Sequence, residues 1–262
     1  MHILIFTDLD DTLFQSARRA PPQTDWQPLA FLKGGEPICW GSPKQLAFMQ
    51  WLRAGGAQLV PVTARNLDAF SRVTIDRDGL AVIDFGAVIL EADGQPDETW
   101  LAQSKEKAHA SAPALQQWLD FLQWVNAAMN ADVSARLVGD FGALFYVAAK
   151  SATHRTDWVQ TLAVHCREAL RAGALPPMVL HCNGNNLALL PPWLDKSHAV
   201  RYILARCKNE CGEEEKVLSI GLGDSLTDVP FLRTCDWRMM PGGSQIDAAL
   251  VRVVERGEGC DE

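Results

Sequence analysis

No stretch of this chain approaches the ~18 consecutive apolar residues of a membrane span, and no Lys/Arg-rich block occurs anywhere along it. The first gap leaves no expected membrane partner. The second counts against nucleic acid: 24 Lys and Arg stand against 32 Asp and Glu for a formal net charge of −8, so a phosphate backbone would meet repulsion over most of the surface. The opening residues also lack the basic start, extended apolar region and small-residue cleavage site of a secretory signal, which makes a cytoplasmic location the expectation. A dense disulfide framework is missing too. The cysteines, Cys39, Cys166, Cys182, Cys207, Cys211, Cys235 and Cys260, number seven and are scattered, the pattern of reduced thiols. Cys207 and Cys211 would share a helix face, but no second ligand pair lies nearby to make a zinc site, so packing is their expected role. Repeats and low-complexity segments are absent. What remains is 48% hydrophobic and 21% charged over 262 residues, a folded protein long enough for one full core or two smaller ones.

Strand and helix signals alternate over the first third. Ile3 to Thr7 is an expected strand, and Ser42-Pro43-Lys44-Gln45 opens a helix with a cap, a first-turn proline and a capping-box glutamine, stopped by Gly55-Gly56. Gln58 to Val62 is the next strand. A short helix to about Arg72 and a strand-like segment from Leu80 to Leu90, interrupted at Gly86, complete a βαβαβ order that implies parallel pairing. Residues 15–41 show little periodicity and predict an excursion beside the end of the first strand, placed to gate a site there. After the turn signal Asp93-Gly94 the texture changes to a long helix over Pro113–Asn130, strands at Arg136–Phe141 and Leu144–Ala149, a helix at Thr156–Arg171, and strands at Met178–Cys182 and Leu187–Leu190. The parallel grammar then resumes with a helix from Lys196 to Cys207, a strand Lys216–Leu222, a short helix after Ser225, a strand near Arg238-Met239-Met240 and a helix from Ser244 to Val254. The expected architecture is α/β: a parallel-sheet core from residues 1–91 and 191–262, with an inserted α+β domain at 92–190.

Chemistry concentrates at Asp8-Leu9-Asp10-Asp11-Thr12. The uncharged, mostly apolar Met1 to Phe6 makes a short buried strand that delivers two carboxylates, at alternate positions, to its carboxyl end. Like charges this close repel and raise a carboxylate pKa unless a cation or a proton intervenes. Ligands of open parallel sheets bind outside the carboxyl ends of the strands, where Thr63 and Gly223-Asp224 would also emerge, together with Lys196 at a helix start. Asp8 suits attack on phosphorus to form an acyl phosphate, and Asp10 suits protonation of the leaving alcohol and then activation of water. Thr63 and Lys196 would hold phosphoryl oxygens. Asp224 and Asp228 add further acidic oxygens, so Asp8, Asp10, Asp224 and Asp228 form a candidate oxygen-ligand set for Mg²⁺. Each piece alone has a plainer reading. Asp10-Asp11-Thr12 also suits a polar turn, Thr63 a strand end with Asn66 as the better helix cap, Lys196 a solvated surface, and Ser225 with Asp228 a capping box. The order and placement of all of them together favour the chemical reading.

These segments resemble the haloacid dehalogenase superfamily. The nucleophile motif stands at Asp8-Leu9-Asp10-Asp11-Thr12, the threonine motif at Val62-Thr63-Ala64-Arg65, the lysine motif at Asp195-Lys196-Ser197 and the acidic motif at Gly221-Leu222-Gly223-Asp224-Ser225-Leu226-Thr227-Asp228. The insert between the threonine and lysine motifs is similar to the large cap of the branch that contains sucrose-phosphate phosphatases, mannosylphosphoglycerate phosphatases and Cof-type sugar phosphatases. The resemblance implies a Rossmann-like parallel-sheet core with an inserted α+β cap domain that closes on the substrate, and Mg²⁺ held by Asp8, the Asp10 main-chain carbonyl and Asp224. It also implies hydrolysis of a small phosphorylated metabolite, such as a sugar phosphate, through an aspartyl phosphate. An acid at position 10 aligns the chain with phosphatases, since members that cleave carbon–halogen bonds typically lack one there. Two departures stand out: Asp84-Phe85-Gly86-Ala87 replaces the usual Asn-Gly-Ala, and Ser197 stands where glycine commonly follows the lysine.

A phosphatase core says little about the leaving group, which the insert must recognise. Arg136, His181, Asn183, Asn185 and Asn186 are the candidate contacts there, although Asn183-Gly184-Asn185-Asn186 equally suits a hairpin turn and His181 a partly buried strand residue. Trp118, Trp124 and Trp158 are expected in the core, with a sugar-stacking platform as the alternative. Two other classes share part of the pattern. A receiver-like phospho-aspartate switch is shorter and carries its acceptor at a middle strand, and a phosphotransferase or phosphomutase uses the same aspartyl-phosphate step but protects it from water.

Overall fold

Met1 to Phe6 reads as a strand buried on both faces, and in the computed structural model, which describes residues 1–17, 19–76, 79–212 and 216–255, it lies inside a parallel sheet. The chain divides into two units, Met1–Asp97 with the segment from Asp195 onward, and Glu98–Leu194. The sequence placed the divisions slightly earlier, after 91 and 190. The first shift arises because the turn at Asp93-Gly94 folds Pro96 back onto Leu90 through an antiparallel bridge, which keeps that hairpin with the first unit.

In the first unit β1 (His2–Thr7) is followed by three short strands, β2 (Gln15–Ser16), β3 (Gln27–Phe31) and β4 (Pro37–Gly41). They form an antiparallel sheet in the order β2-β4-β3, where the sequence offered only an excursion of little periodicity. Prolines at 28 and 37 and register shifts around Ala30 break the alternation by which a strand is recognised. Helix α1 (Pro43–Ala54) starts as its sequence dictates: Ser42 Oγ accepts the Gln45 amide while the Gln45 side chain takes the Ser42 amide. β5 (Gln58–Pro61) and α2 (Leu67–Phe70), capped by Asn66, come next. β6 (Ala81–Ile83) and β7 (Val88–Leu90) then form a hairpin where a single interrupted strand was expected. The chain reverses through a 3₁₀ turn at Asp84–Gly86, and β6 meets the end of β5 only at the parallel Val62–Val82 bridge.

The second unit holds α3 (Glu98–Ala128), β8 (Val133–Val138), β9 (Tyr146–Ser151), α4 (Thr156–Arg171), β10 (Val179–Asn183) and β11 (Asn186–Leu190). Its antiparallel sheet runs β10-β11-β9-β8. α3 begins well before the expected Pro113. That proline lies inside a 31-residue helix on an exposed face, where losing one backbone hydrogen bond to a solvated carbonyl is tolerated. Leu115, Trp118, Leu122 and Val125 of α3 and Val159, Leu162 and Cys166 of α4 pack with Val147, Ala149, Leu187 and Leu189 of the sheet into one core. Trp118 is fully buried and its indole N–H donates to Pro176 O at 2.9 Å. Trp124 corrects its core expectation, being 69% exposed, and Trp158 is half-buried beneath the Arg155 guanidinium.

The first unit resumes with α5 (Lys196–Cys211), β12 (Val217–Leu222), α6 (Val229–Leu232), β13 (Trp237–Met239) and α7 (Gln245–Glu255). α5 outruns its expected end at Cys207 and stops at Gly212 in the left-handed region, a C-terminal glycine cap. The parallel sheet runs β13-β12-β1-β5. β1 is buried on both faces and pairs over its whole length with β12, from His2–Val217 to Thr7–Leu222, and from Leu4–Gln58 to Thr7–Pro61 with β5. This register brings Asp8, Val62-Thr63 and Gly223-Asp224 to one edge. Cys39, Cys166, Cys182, Cys207, Cys211 and Cys235 are free thiols, and Cys260 lies outside the described residues. No described helix is long and apolar enough to cross a membrane.

Candidate active site

The carboxyl ends of β1 and β12 are stitched together one residue beyond their ladder, where the Asp8 amide donates to Leu222 O at 2.8 Å. On the other flank the Val62 amide donates to Thr7 O at 2.8 Å. Asp8 and Asp224 therefore leave adjacent strands side by side, and Thr63 leaves the third.

Lys196 joins them from the start of α5. Its Nζ lies 2.6 Å from Asp8 Oδ1 and 2.8 Å from Asp228 Oδ1, and all three groups are buried. The other Asp228 oxygen accepts from the Ser225 amide at 3.1 Å and the Ser225 hydroxyl at 2.9 Å. Half of the expected capping box is thus present, and Asp228 holds the lysine with one oxygen and the Ser225 turn with the other. One carboxylate oxygen each from Asp8, Asp224 and Asp228 lie within 4.8 Å of one another. Burial pushes the Asp8 carboxyl well above the usual carboxylate range, with Asp228 and Asp10 adding to it and Lys196 opposing. Asp224 rises to about 6, first from burial, then from Asp228 and Asp11, against Arg19 and Lys196. Burial alone would lower the Lys196 pKa, yet the paired carboxylates raise it and keep the ammonium charged.

Two glycines make this convergence possible. A Cβ on Gly86, at φ +102°, would sit 2.7 Å from the Asp195 carbonyl oxygen and 3.1 Å from Lys196 Cα, so only glycine lets the 3₁₀ turn touch the start of α5. A Cβ on Gly223 would sit 2.7 Å from Asp228 Cβ. Asp195 caps α5 by accepting the Ser197 amide at 2.7 Å.

Asp10 faces differently from Asp8. Its carboxylate is half exposed and forms a bidentate pair with Arg65, Nε to Oδ2 at 2.8 Å and Nη2 to Oδ1 at 2.7 Å. Arg65 is held in turn over the Phe14 ring at 5.5 Å and near Cys39 Sγ at 3.7 Å. Burial together with Asp10 pushes the Cys39 thiol up to about 12, so it stays protonated. The Asp10 side chain does not share the Asp8, Asp224 and Asp228 cluster, which limits its place in the expected ligand set to the main-chain carbonyl. Thr63 is buried at its strand end, and its Oγ1 accepts the Arg65 amide at 3.1 Å.

Sequence reasoning missed three polar neighbours. Arg19, on the excursion after β2, lies 3.3 Å from Asp11 Oδ2 and 3.7 Å from Asp224 Oδ2. Thr12 Oγ1 donates to Asp224 Oδ1 at 3.4 Å, and Arg65 clamps Asp10. Arg65 and Thr12 were inside recognised motifs. Nothing local to the sequence around Arg19 signals its position.

In the second unit, register places Arg136, Ala148, Ala188 and His181 opposite one another across the four strands, with Ser134, Lys150, Asn186 and Asn183 in the next row of the same face. The opposite face carries Ala135, Leu137, Val147, Ala149, Leu187, Leu189, Leu180 and Cys182 into the helix-packed core. Arg136, His181, Asn183 and Asn186 therefore share the face turned from the helices. Asn185 does not join them, a correction to its expected role. It is fully buried in the hairpin turn, and its amide donates to Ser151 O at 2.9 Å.

No family model matches this chain, and no curated protein matches it in sequence. Solved structures do match. The chain is similar to the Synechocystis sucrose-phosphatase in complex with sucrose and phosphate, with TM-score 0.52 and 14% identity, covering 97% of this chain and 98% of that one. It is also similar to the C-terminal domain of the C. albicans trehalose-6-phosphate phosphatase, with TM-score 0.57 and 11% identity, covering 100% of this chain and 79% of that one. At these identities the likeness is one of fold, a parallel-sheet α/β unit together with an antiparallel α+β unit.

Proposed function

We propose that this chain is a phosphatase of the haloacid dehalogenase type, a Mg²⁺-dependent hydrolase of phosphomonoesters in which residues 1–97 and the segment from Asp195 carry the chemistry and residues 98–194 select the substrate. The observation that carries the reading is the buried Lys196 ammonium bridging Asp8 and Asp228 at the carboxyl edge of the parallel sheet, with Asp224 in the same cluster.

The donor set fits magnesium. The cluster offers only carboxylate oxygens, and an Asp224 carboxyl raised to about 6 by burial and neighbouring acids marks negative charge that a hard dication would relieve. Asp8 and Asp224 would hold the ion, with the Asp10 carbonyl as the resemblance implies. Asp228 belongs to the same cluster and ties down the lysine as well. A bound magnesium supplies charge neutralisation between Asp8 and the phosphate dianion and stabilises the in-line transition state.

The chain's own residues do the rest. Lys196 holds Asp8 Oδ1, which leaves Oδ2 to attack phosphorus. As the new bond forms, the ester P–O bond breaks and Asp10 gives a proton to the departing alcohol. Asp10 then takes a proton from water, whose oxygen attacks the aspartyl phosphate to release inorganic phosphate and restore Asp8. To reach the leaving oxygen, Asp10 must first leave Arg65. Thr63 and Lys196 bind the phosphoryl oxygens.

A sugar phosphate is the proposed substrate class. Two observations support it: the sugar-phosphate names of the matched structures, and Arg136, His181, Asn183 and Asn186 in two adjacent rows of one sheet face, suited to hydroxyls or a second acidic group.

Asp8→Asn tests the proposal, because it removes the nucleophile and keeps the shape. Turnover of an aryl phosphate should fall at least about a thousand-fold with an unchanged circular dichroism spectrum. Residual activity near the wild-type level would refute the assignment. Release of phosphate without any acceptor sugar would separate hydrolysis from transfer.

A further inference from the structure

Ser197 departs from the glycine expected after the lysine, and the mechanism above gives it no task. It is buried, and its Oγ accepts from Arg201 Nη2 at 2.6 Å. Together with Arg201, Val229, Pro230, Arg233 and Thr234 it lines a cavity of about 380 Å³ between α5 and α6. Both arginines are exposed, and among the described residues neither has a carboxylate partner. Arg201 donates only to Ser197, and Arg233 to no side chain.

The geometry points to a second oxyanion site in this cavity, binding a phosphate group through Arg201, Arg233 and Ser197. Guanidinium forks match phosphate oxygens in pairs, and Arg201 uses only part of its five N–H donors on Ser197. The Ser197 hydroxyl accepts from Arg201 and keeps its own hydrogen to give. Thr234 lends no donor, since its hydroxyl donates to Phe231 O at 2.7 Å. Ser197 lies in the first turn of the 16-residue α5, where the helix dipole favours an anion. Glycine at 197 could not pin Arg201.

The site is separate from the catalytic cluster, because Asp8, Lys196 and Asp224 are not among its lining residues. The binding claim stands whether or not the chain is a phosphatase.

The test is calorimetric titration of the whole protein with inorganic phosphate, and in a second arm with a phosphonate. It compares wild type with Arg201→Gln, Arg233→Gln and the double variant. These exposed substitutions should leave the melting temperature in phosphate-free buffer unchanged. The wild type should show two phosphate-binding events, and the one at the cavity should weaken about ten-fold or more in the double variant. The competitive inhibition constant of phosphate against aryl phosphate turnover, which reports the catalytic site, should stay constant. Tighter binding of the phosphonate than of the free ion would assign the cavity to an organic phosphate, and the reverse to inorganic phosphate. Identical isotherms for wild type and the double variant would overturn the proposal, as would an inhibition constant that rises in step with the lost affinity.

Discussion

Asp8 and Asp10 stand two positions apart, but the structure gives them opposite surroundings, and that difference sets what each can do. Asp8 is buried against a lysine, while Asp10 is half exposed on an arginine fork. A proton donor matters most when the leaving alcohol is a poor one. Asp10→Asn should therefore cost on the order of a hundred-fold in kcat/KM for a sugar phosphate and clearly less for a nitrophenyl phosphate, and equal losses on both would remove Asp10 from the proton-donor role. Asp224 leads to a stability prediction. Its folded carboxyl is raised from 3.8 to about 6, so the folded state binds the proton more tightly than the unfolded chain. The stability this supplies is complete below pH 4 and is lost as the pH rises through 6. In metal-free buffer Asp224→Asn should consequently stabilise the protein at pH 8 by on the order of 3 kcal/mol, and the gain should vanish near pH 4. Urea unfolding at the two pH values measures it. A gain that persists undiminished at pH 4 would show that the carboxyl is not raised.

Elements deliver these residues, and here the sequence was legible wherever a local rule acts alone. The capping box at Ser42, the cap at Asn66 and the strand of β1 are each fixed by their own few residues, and the structure keeps them. The segment from Leu80 to Leu90 was not legible, because its reversal depends on what the turn touches. The contact is with α5, more than a hundred residues later in the sequence, and it explains why glycine stands at 86. Gly86→Ala should shift the α5 start and with it Lys196, costing about 2 kcal/mol or more through overpacking and strain and lowering turnover with it. A variant that unfolds at the wild-type denaturant midpoint with full activity would show that α5 does not need this close approach. The site was readable to a similar degree. Asp8, Lys196, Asp224 and Asp228 announce themselves by strand ends and spacing, whereas Arg19 reaches Asp224 from the turn after β2, in the segment that the sequence left without structure.

At the scale of the molecule, the two units differ in how their chain is laid out. The unit with the parallel sheet is assembled from both ends of the sequence, since β1 lies between β5 and β12, and neither end can bury its strands without the other. Glu98–Leu194 is contiguous and has its own core around Trp118, with a four-stranded sheet covered by two helices. A segment of this size with one closed core and every sheet partner inside it meets the conditions for folding alone. The excised fragment should therefore unfold cooperatively in urea, with tryptophan fluorescence and far-ultraviolet circular dichroism changing together. It should show no phosphatase activity, because the Asp8, Lys196 and Asp224 cluster lies wholly in the other unit. In the intact chain the same transition should persist when Gly86→Ala weakens the parallel-sheet unit, because the core of the insert contains no residue of β6, β7 or α5. A fragment that is unstructured, or an insert transition that moves with Gly86→Ala, would mean that the two units fold as one.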